Sequence, residues 1–271
     1  MENLSKVTKA IKPAQIPNLL LSQGVATATT EVIAKILGIP KNQVSQRMAP
    51  LKLRGEIITP AKGLWVPVPP EYLAWGAPAA LDLIAPFMSY FGANYYVGWL
   101  SAAELHGASH HAPQVFQVAT DMAIRDRTVG RTSLRFFQRS NLQHIPVIKK
   151  ESKNGLVRVS SKEATLLDIT TNIRMVAGID NAANLVVELC DDEDISMNEI
   201  NRISDFYPAA ALRRLGWLME NFTAIRGLEE LKAKAASEST SITLLDPLSS
   251  YGGSIDQSWC LQINRKVEPD V

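Results

Sequence analysis

The sequence predicts an α+β protein, with an N-terminal winged helix-turn-helix domain followed by a larger mixed α/β domain. Three observations predict it. Helix-period segments and then a hairpin pattern fill the first 68 residues, a Pro-rich break follows, and charge divides unevenly across that break. A chain of 271 residues is long enough for two domains. The expected division is 1–68 for the winged helix-turn-helix, 69–78 for a Pro-rich linker, and 79–271 for the mixed domain. Apolar residues at 46% and charged residues at 20% suit a folded globular chain.

The first helix is expected in "AQIPNLLLSQG", stopped by Gly24, since glycine adopts the left-handed conformation that closes helices. "TTEVIAKILG" supplies the second, with Thr29 or Thr30 as cap and Gly38 as its end. In "KNQVSQRMAPLKLRG", Val44, Met48 and Leu51 fall at i, i+4 and i+7 and share one face of a third helix. Asn42 is its expected cap. Pro50 is expected to kink it or end it early, because proline inside a helix costs about 3 kcal/mol. "EIITPAKGLWVPV" then offers two β-prone runs, 57–59 and 64–68, turning through Pro60, Ala61, Lys62 and Gly63. Pro67, Pro69 and Pro70 favour an extended connector beyond them.

The third segment turns hydrogen-bonding side chains away from its apolar stripe. Gln43, Gln46 and Arg47 have the length to reach base edges, Asn42 and Ser45 flank them, and Lys41, Lys52, Arg54 and Lys62 suit phosphates. Residues 1–70 carry nine Lys or Arg against three Glu, a net +6, which leaves −5 on the remainder. A basic head on a mildly acidic body is the asymmetry expected when one domain faces phosphate.

Downstream, "PAALDLIAPFMSYFG" and "YYVGWLSAAELHG" read as buried helices. "PQVFQVAT", "TSLRFFQR" and "IPVIKKESKNGLVRVS" read as strands, the last folded at Asn154-Gly155. Ser161 caps a helix in "SKEATLLDITTN", further helices run from about 180 to 235, and "ESTSITLLDP" returns to strand. The tail after Ile263 is polar and expected to be mobile. Arg127, Arg131, Arg135 and Arg139, interleaved with Phe136 and Phe137, are either a second nucleic-acid or partner patch or a solvated strand face.

Other chemistry has weaker support. His106, His110 and His111 lie near Glu104, but Gly107 breaks the helix on which His106 and His110 would pair as metal ligands. Asp121 lacks the acid-x-Lys triple of a nuclease strand, and the acids 191–194 beside Cys190 suit a solvated loop or a helix start. Neither a phosphate loop nor Gly-x-Ser-x-Gly is present. Cys190 and Cys260 are expected as core thiols. No apolar run approaches the roughly 20 residues of a membrane helix, and no leader pattern opens the chain, so the expected location is the cytoplasm. No catalytic residue, metal or cofactor is assigned.

The stretches "YYVGWLSAAELHG", "VSSKEATLLDI", "ALRRLGWLME" and "LLDPLSSYGGSIDQSWCLQIN", placed after the expected winged helix, resemble the AbiEi family of antitoxins from type IV toxin-antitoxin systems. The likeness runs from about residue 14 to 264, and the Trp-Leu-Ser-Ala-Ala-Glu-Leu-His-Gly stretch and the closing Trp-x-Leu-x-Ile-Asn carry most of it. This resemblance implies a bacterial repressor that binds inverted repeats in double-stranded operator DNA upstream of its own operon, as a monomer or a dimer. It also implies a partner toxin, the nucleotidyltransferase AbiEii, opposed without a stable complex. By the same resemblance, DNA contacts fall on the outer face of the third helix and on Lys62, while Trp99, His106 and Trp259 pack. The alternative reading is a nuclease or metal-dependent enzyme that a winged helix targets to nucleic acid.

Overall fold

The computed structural model describes residues 11–108, 114–191, 195–237 and 241–269. Three helices open it. α1 (Ile16–Ser22) ends just before Gly24, whose φ of 66° reverses the chain. After β1 (Ala28–Thr29), α2 (Thr30–Leu37) starts where Thr29 Oγ1 accepts the Val32 N–H at 3.3 Å, and Gly38 closes it at φ 66°. α3 spans Lys41–Leu53. Asn42 does not cap it. Pro40, with extended backbone, is the residue before the first helical turn, so Asn42 already lies inside. Nor does Pro50 end it. Gln46, whose carbonyl loses its helical donor to that proline, is exposed, as is Pro50 itself, so solvent reaches the bare carbonyl.

β2 (Ile57–Ala61) and β3 (Leu64–Pro67) form an antiparallel hairpin, and β1 joins β3 to give the order β1-β3-β2. The turn is tighter than the sequence suggests, only Lys62 and Gly63 lying between the strands. Ile16, Leu20, Ile33, Val44, Met48, Leu51, Ile57 and Trp65 close one core among these elements. Leu64 and Val66 turn the other way and pack with α4 (Ala80–Phe91), through Leu83, Ile84 and Phe87. Residues 69–78 are not an extended connector. A short 3-10 turn at Pro70–Tyr72 leads to Trp75, whose carbonyl accepts the Arg131 N–H at 2.8 Å.

The centre of the body is a six-stranded mixed sheet in the order β6-β7-β5-β4-β9-β8. Its strands are β4 (Tyr95–Val97), β5 (Val115–Thr120), β6 (Arg127–Val129), β7 (Thr132–Gln138), β8 (Val147–Ser152) and β9 (Gly155–Ser160). "YYV" is thus a strand where a helix was expected. Period-two alternation explains it: Tyr95 and Val97 face the α4 core, and Tyr96 faces the opposite one. Only α5 (Trp99–Leu105) of that stretch is helical. The β8–β9 turn consists of Lys153 and Asn154, one residue earlier than expected, because Gly155 already pairs with Ser152.

Helices cover the second face: α6 (Lys162–Thr171), α7 (Ile179–Cys190), α8 (Met197–Ser204), α9 (Ala209–Phe222) and α10 (Glu229–Ser237). Ser161 caps α6 as its sequence indicates, its Oγ accepting the Ala164 N–H. A small sheet, β10 (Thr243–Leu244), β12 (Leu261–Ile263) and β11 (Ser254–Asp256) in spatial order, packs beside α9. The tail after Ile263 is anchored rather than loose: Val267 is buried, and Arg265 pairs with Asp180. Of the two cysteines, both are half-buried and neither is in a disulfide. Burial pushes the Cys190 thiol up to about 12.

Gly216 sits in α9 beneath Trp259, and a Cβ there would come 2.0 Å from the indole Cη2. Gly216→Ala should therefore destabilise the protein by about 1–3 kcal/mol through overpacking, although alanine is the better helix former by about 1 kcal/mol. Chemical denaturation checks this, and a gain in stability would show that Trp259 moves aside freely.

Candidate nucleic-acid interface

α3 separates its two faces cleanly. Val44, Met48 and Leu51 are at most 1% exposed, whereas Lys41, Asn42, Gln43, Ser45, Gln46, Arg47, Lys52 and Arg54 are all exposed. The amide and guanidinium groups thus project into solvent from a helix anchored along its whole length. Their charges are not equivalent. Lys41 lies 2.8 Å from Glu31, and this hydrogen-bonded ion pair holds the Glu31 carboxyl down at about 2. Arg54 pairs with Glu56 at 2.5 Å. Among the described residues, Arg47, Lys52 and Lys62 have no carboxylate partner, and so present uncancelled charge.

The hairpin is fixed beside α3 by a small relay. Thr30 N and Oγ1 both donate to the Gly63 carbonyl, and the Thr30 hydroxyl accepts Trp65 Nε1–H at 3.0 Å. Gly63 has a φ of 83°, which a side chain would strain. Lys62 is thereby carried at the exposed tip, its carbonyl accepting the Tyr90 hydroxyl at 2.8 Å. Between helix and hairpin runs a cleft of about 720 Å³, bordered by Ser45, Ala49, Lys52, Leu53, Thr59 and Lys62 among others. Leu53, 89% exposed at its rim, escaped sequence reasoning because it lies outside the apolar stripe. Such a side chain can contact a thymine methyl.

The four arginines read as either a second patch or a solvated strand face do not share one surface. Arg139 follows the end of β7 and turns inward, with Nη1 2.8 Å from Asp168 Oδ1. Arg135 is exposed and pairs with Asp126 at 3.5 Å. Arg131 lies over the Trp75 ring. Arg127 belongs instead to the cleft beside α3, where its Nε donates to the Pro60 carbonyl at 2.9 Å.

Residues weighed for catalysis are engaged elsewhere. His106 Nε2 donates to the Ser160 carbonyl at 2.8 Å, and burial lowers the His106 pKa, which favours the neutral Nε2–H tautomer. Gly107 follows the end of α5 at φ 86°. Asp121 is bound by the backbone and side-chain amides of Asn94. His110, His111 and the acids 192–194 lie outside the described residues. Among the described residues, no three His, Cys, Asp or Glu converge as a metal-holding group.

The strongest buried polar cluster is one that motif reading did not anticipate. Asp168 Oδ1 accepts from Tyr96, Tyr207 and Arg139, and Arg139 also donates to the Phe206 carbonyl and covers the Tyr207 ring. Burial outweighs these partners and raises the Asp168 carboxyl to about 6. This cluster joins β4, α6, the β7 end and the α8–α9 connection. In α9, Arg213 and Arg214 bind carbonyls of the later chain, including Ala235 and Leu244, and so hold the C-terminal sheet in place. Arg214 is lowered to about 10 by burial. Trp99 and Trp259 are buried, and His106 is half-buried.

Comparison with known proteins agrees with this architecture. The chain is similar to a crystal structure of the Rv2827c protein from Mycobacterium tuberculosis, with 15% identity, a TM-score of 0.64, and coverage of 92% of this chain and 89% of that one. This likeness speaks to fold alone. No curated protein matches. Residues 96–221, which hold the Asp168 cluster and the α6–α9 packing, match the family described as AbiEi antitoxin C-terminal domain. No helix among the described residues is long and apolar enough to cross a membrane. Residues 96–221, just under half of the chain, are thus similar to the C-terminal domain of the AbiEi antitoxins, an antitoxin family of toxin-antitoxin systems rather than a family of enzymes.

Proposed function

We propose that the protein is an antitoxin and also the DNA-binding repressor of its own operon, with residues 1–68 acting as a winged helix-turn-helix and residues 79–271 as the antitoxin domain. The observation that carries this reading is the exposed polar and cationic face of α3, backed by a fully buried stripe and flanked by a pinned hairpin. α3 enters a major groove, with Gln43, Gln46 and Arg47 toward base edges and Asn42 and Ser45 beside them. Lys52 and Lys62 contact phosphate directly. Lys41 and Arg54 contribute less, because each must first leave its carboxylate. The operator is a pair of inverted repeats, and the partner toxin is a nucleotidyltransferase opposed without a stable complex.

Gel shifts with a duplex from the region upstream of its own reading frame test this. Retention should be strong at low salt and fall steeply as salt rises, since each neutralised phosphate releases counterions. Absence of retention even at low salt would overturn the reading in favour of a protein-binding adaptor. Divalent-dependent cutting of the duplex would overturn it in favour of an enzyme.

A further inference from the structure

We propose that the body of the protein contributes directly to the same nucleic-acid surface, with Arg127 serving as a phosphate contact for a duplex laid across the cleft between α3 and the hairpin. This rests on the DNA-binding reading above. The cleft is lined by Lys52, Lys62 and Arg127, and no Asp or Glu is among its lining residues. Three cations converge there from three separate parts of the chain: the helix, the hairpin tip and the edge strand β6 of the central sheet.

Arg127 is oriented without being neutralised. Its Nε donates to the Pro60 carbonyl, and its Nη1 donates to the carbonyls of Arg125 and Asp126 at 2.9 and 3.0 Å. Carbonyls supply geometry but no net negative charge, so the full positive charge remains available beside the cleft. Nη2 has no hydrogen-bond partner among the described residues. A planar guanidinium already held on two of its three nitrogens loses little conformational freedom on meeting a phosphate. The neighbouring Arg125 is exposed and adds to the local potential.

The same bonds tie the hairpin to the body, together with the Tyr90 hydroxyl on the Lys62 carbonyl. Charge and position must therefore be separated by experiment. The full chain is assayed by gel shift over a salt series on the upstream duplex and on poly(dI-dC), comparing Arg127→Ala, Arg127→Lys, Tyr90→Phe and Arg47→Ala, with thermal midpoints confirming folding. Arg127→Ala should weaken binding to both probes about tenfold and reduce the salt slope by about one. Arg127→Lys and Tyr90→Phe should keep the wild-type slope. An unchanged affinity and slope for Arg127→Ala, alongside lost operator binding by Arg47→Ala, would sink the proposal and leave the repressor reading intact. Equal losses for Arg127→Ala and Tyr90→Phe at an unchanged slope would also overturn it, since Arg127 would then act only by positioning the hairpin. Failure of the wild-type chain to bind either probe at low salt would remove the underlying reading, and the proposal with it.

Discussion

Replacing Arg47 and Lys62 together with alanine should lower affinity for the upstream duplex by about 100-fold, each residue contributing roughly 1–1.5 kcal/mol. The two losses differ in kind. Arg47 projects from the middle of α3, so its removal should narrow the gap between upstream and unrelated DNA. Lys62 stands at the hairpin tip, so its removal should weaken both equally and reduce the salt slope by about one. Both side chains are exposed, and the thermal midpoint should hardly move. Lys41→Ala is the internal control: its charge is already engaged with Glu31, so the effect should be smaller. Gel shifts at matched salt decide the matter. Equal losses for Lys41→Ala and Lys62→Ala would contradict this ordering of charges.

Asp168→Ala should be the most damaging single change in the body, lowering stability by about 3–5 kcal/mol, because it leaves the Arg139 guanidinium buried without its counter-charge. At this chain length the midpoint should drop on the order of 10 °C. Asp168 also imposes a pH dependence of defined sign. Its folded carboxyl titrates near 6, whereas an unfolded Asp titrates near 3.9, so the folded state holds the extra proton between those values. This group's contribution to stability therefore falls as pH rises from about 4 to about 6. Asp168→Asn keeps the shape and an acceptor oxygen but removes the titration. Denaturation of both proteins across that range should show wild type losing stability relative to Asp168→Asn with rising pH, and a difference of the opposite slope would mean that Arg139 outweighs burial.

The architecture was legible wherever the signal is local. Ser161 as a cap, Thr29 or Thr30 as another, Gly24 and Gly38 as helix ends, and the stripe of Val44, Met48 and Leu51 all depend on neighbours within a turn or two, although only the structure chooses Thr29 over Thr30. "YYV" was misread because three residues are too few to separate period two from period 3.6. The candidate interface was legible to the same extent, since an amphipathic helix with polar outer positions declares its exposed face. What sequence did not reveal was which cations are already paired: Glu31 is ten residues from Lys41, and no periodicity links them.

The arginine row marks the division most clearly. Spacing alone allows Arg127, Arg131, Arg135 and Arg139 to share one face, but strand alternation holds only while the strand lasts, and β7 stops at Gln138. Beyond it, Arg139 swings to a carboxylate 29 residues away, while Arg127 is drawn to a carbonyl 67 residues away. Sequence by itself determined most of the helices, the Ser161 cap, the helix ends at Gly24 and Gly38, the buried stripe and the basic bias of the first 70 residues, because these follow from backbone preferences and nearest-neighbour side chains. Only tertiary structure decided which charges are cancelled, which are buried and which meet in one cleft, because electrostatic pairing depends on distance in space, and the fold sets that distance independently of separation along the chain.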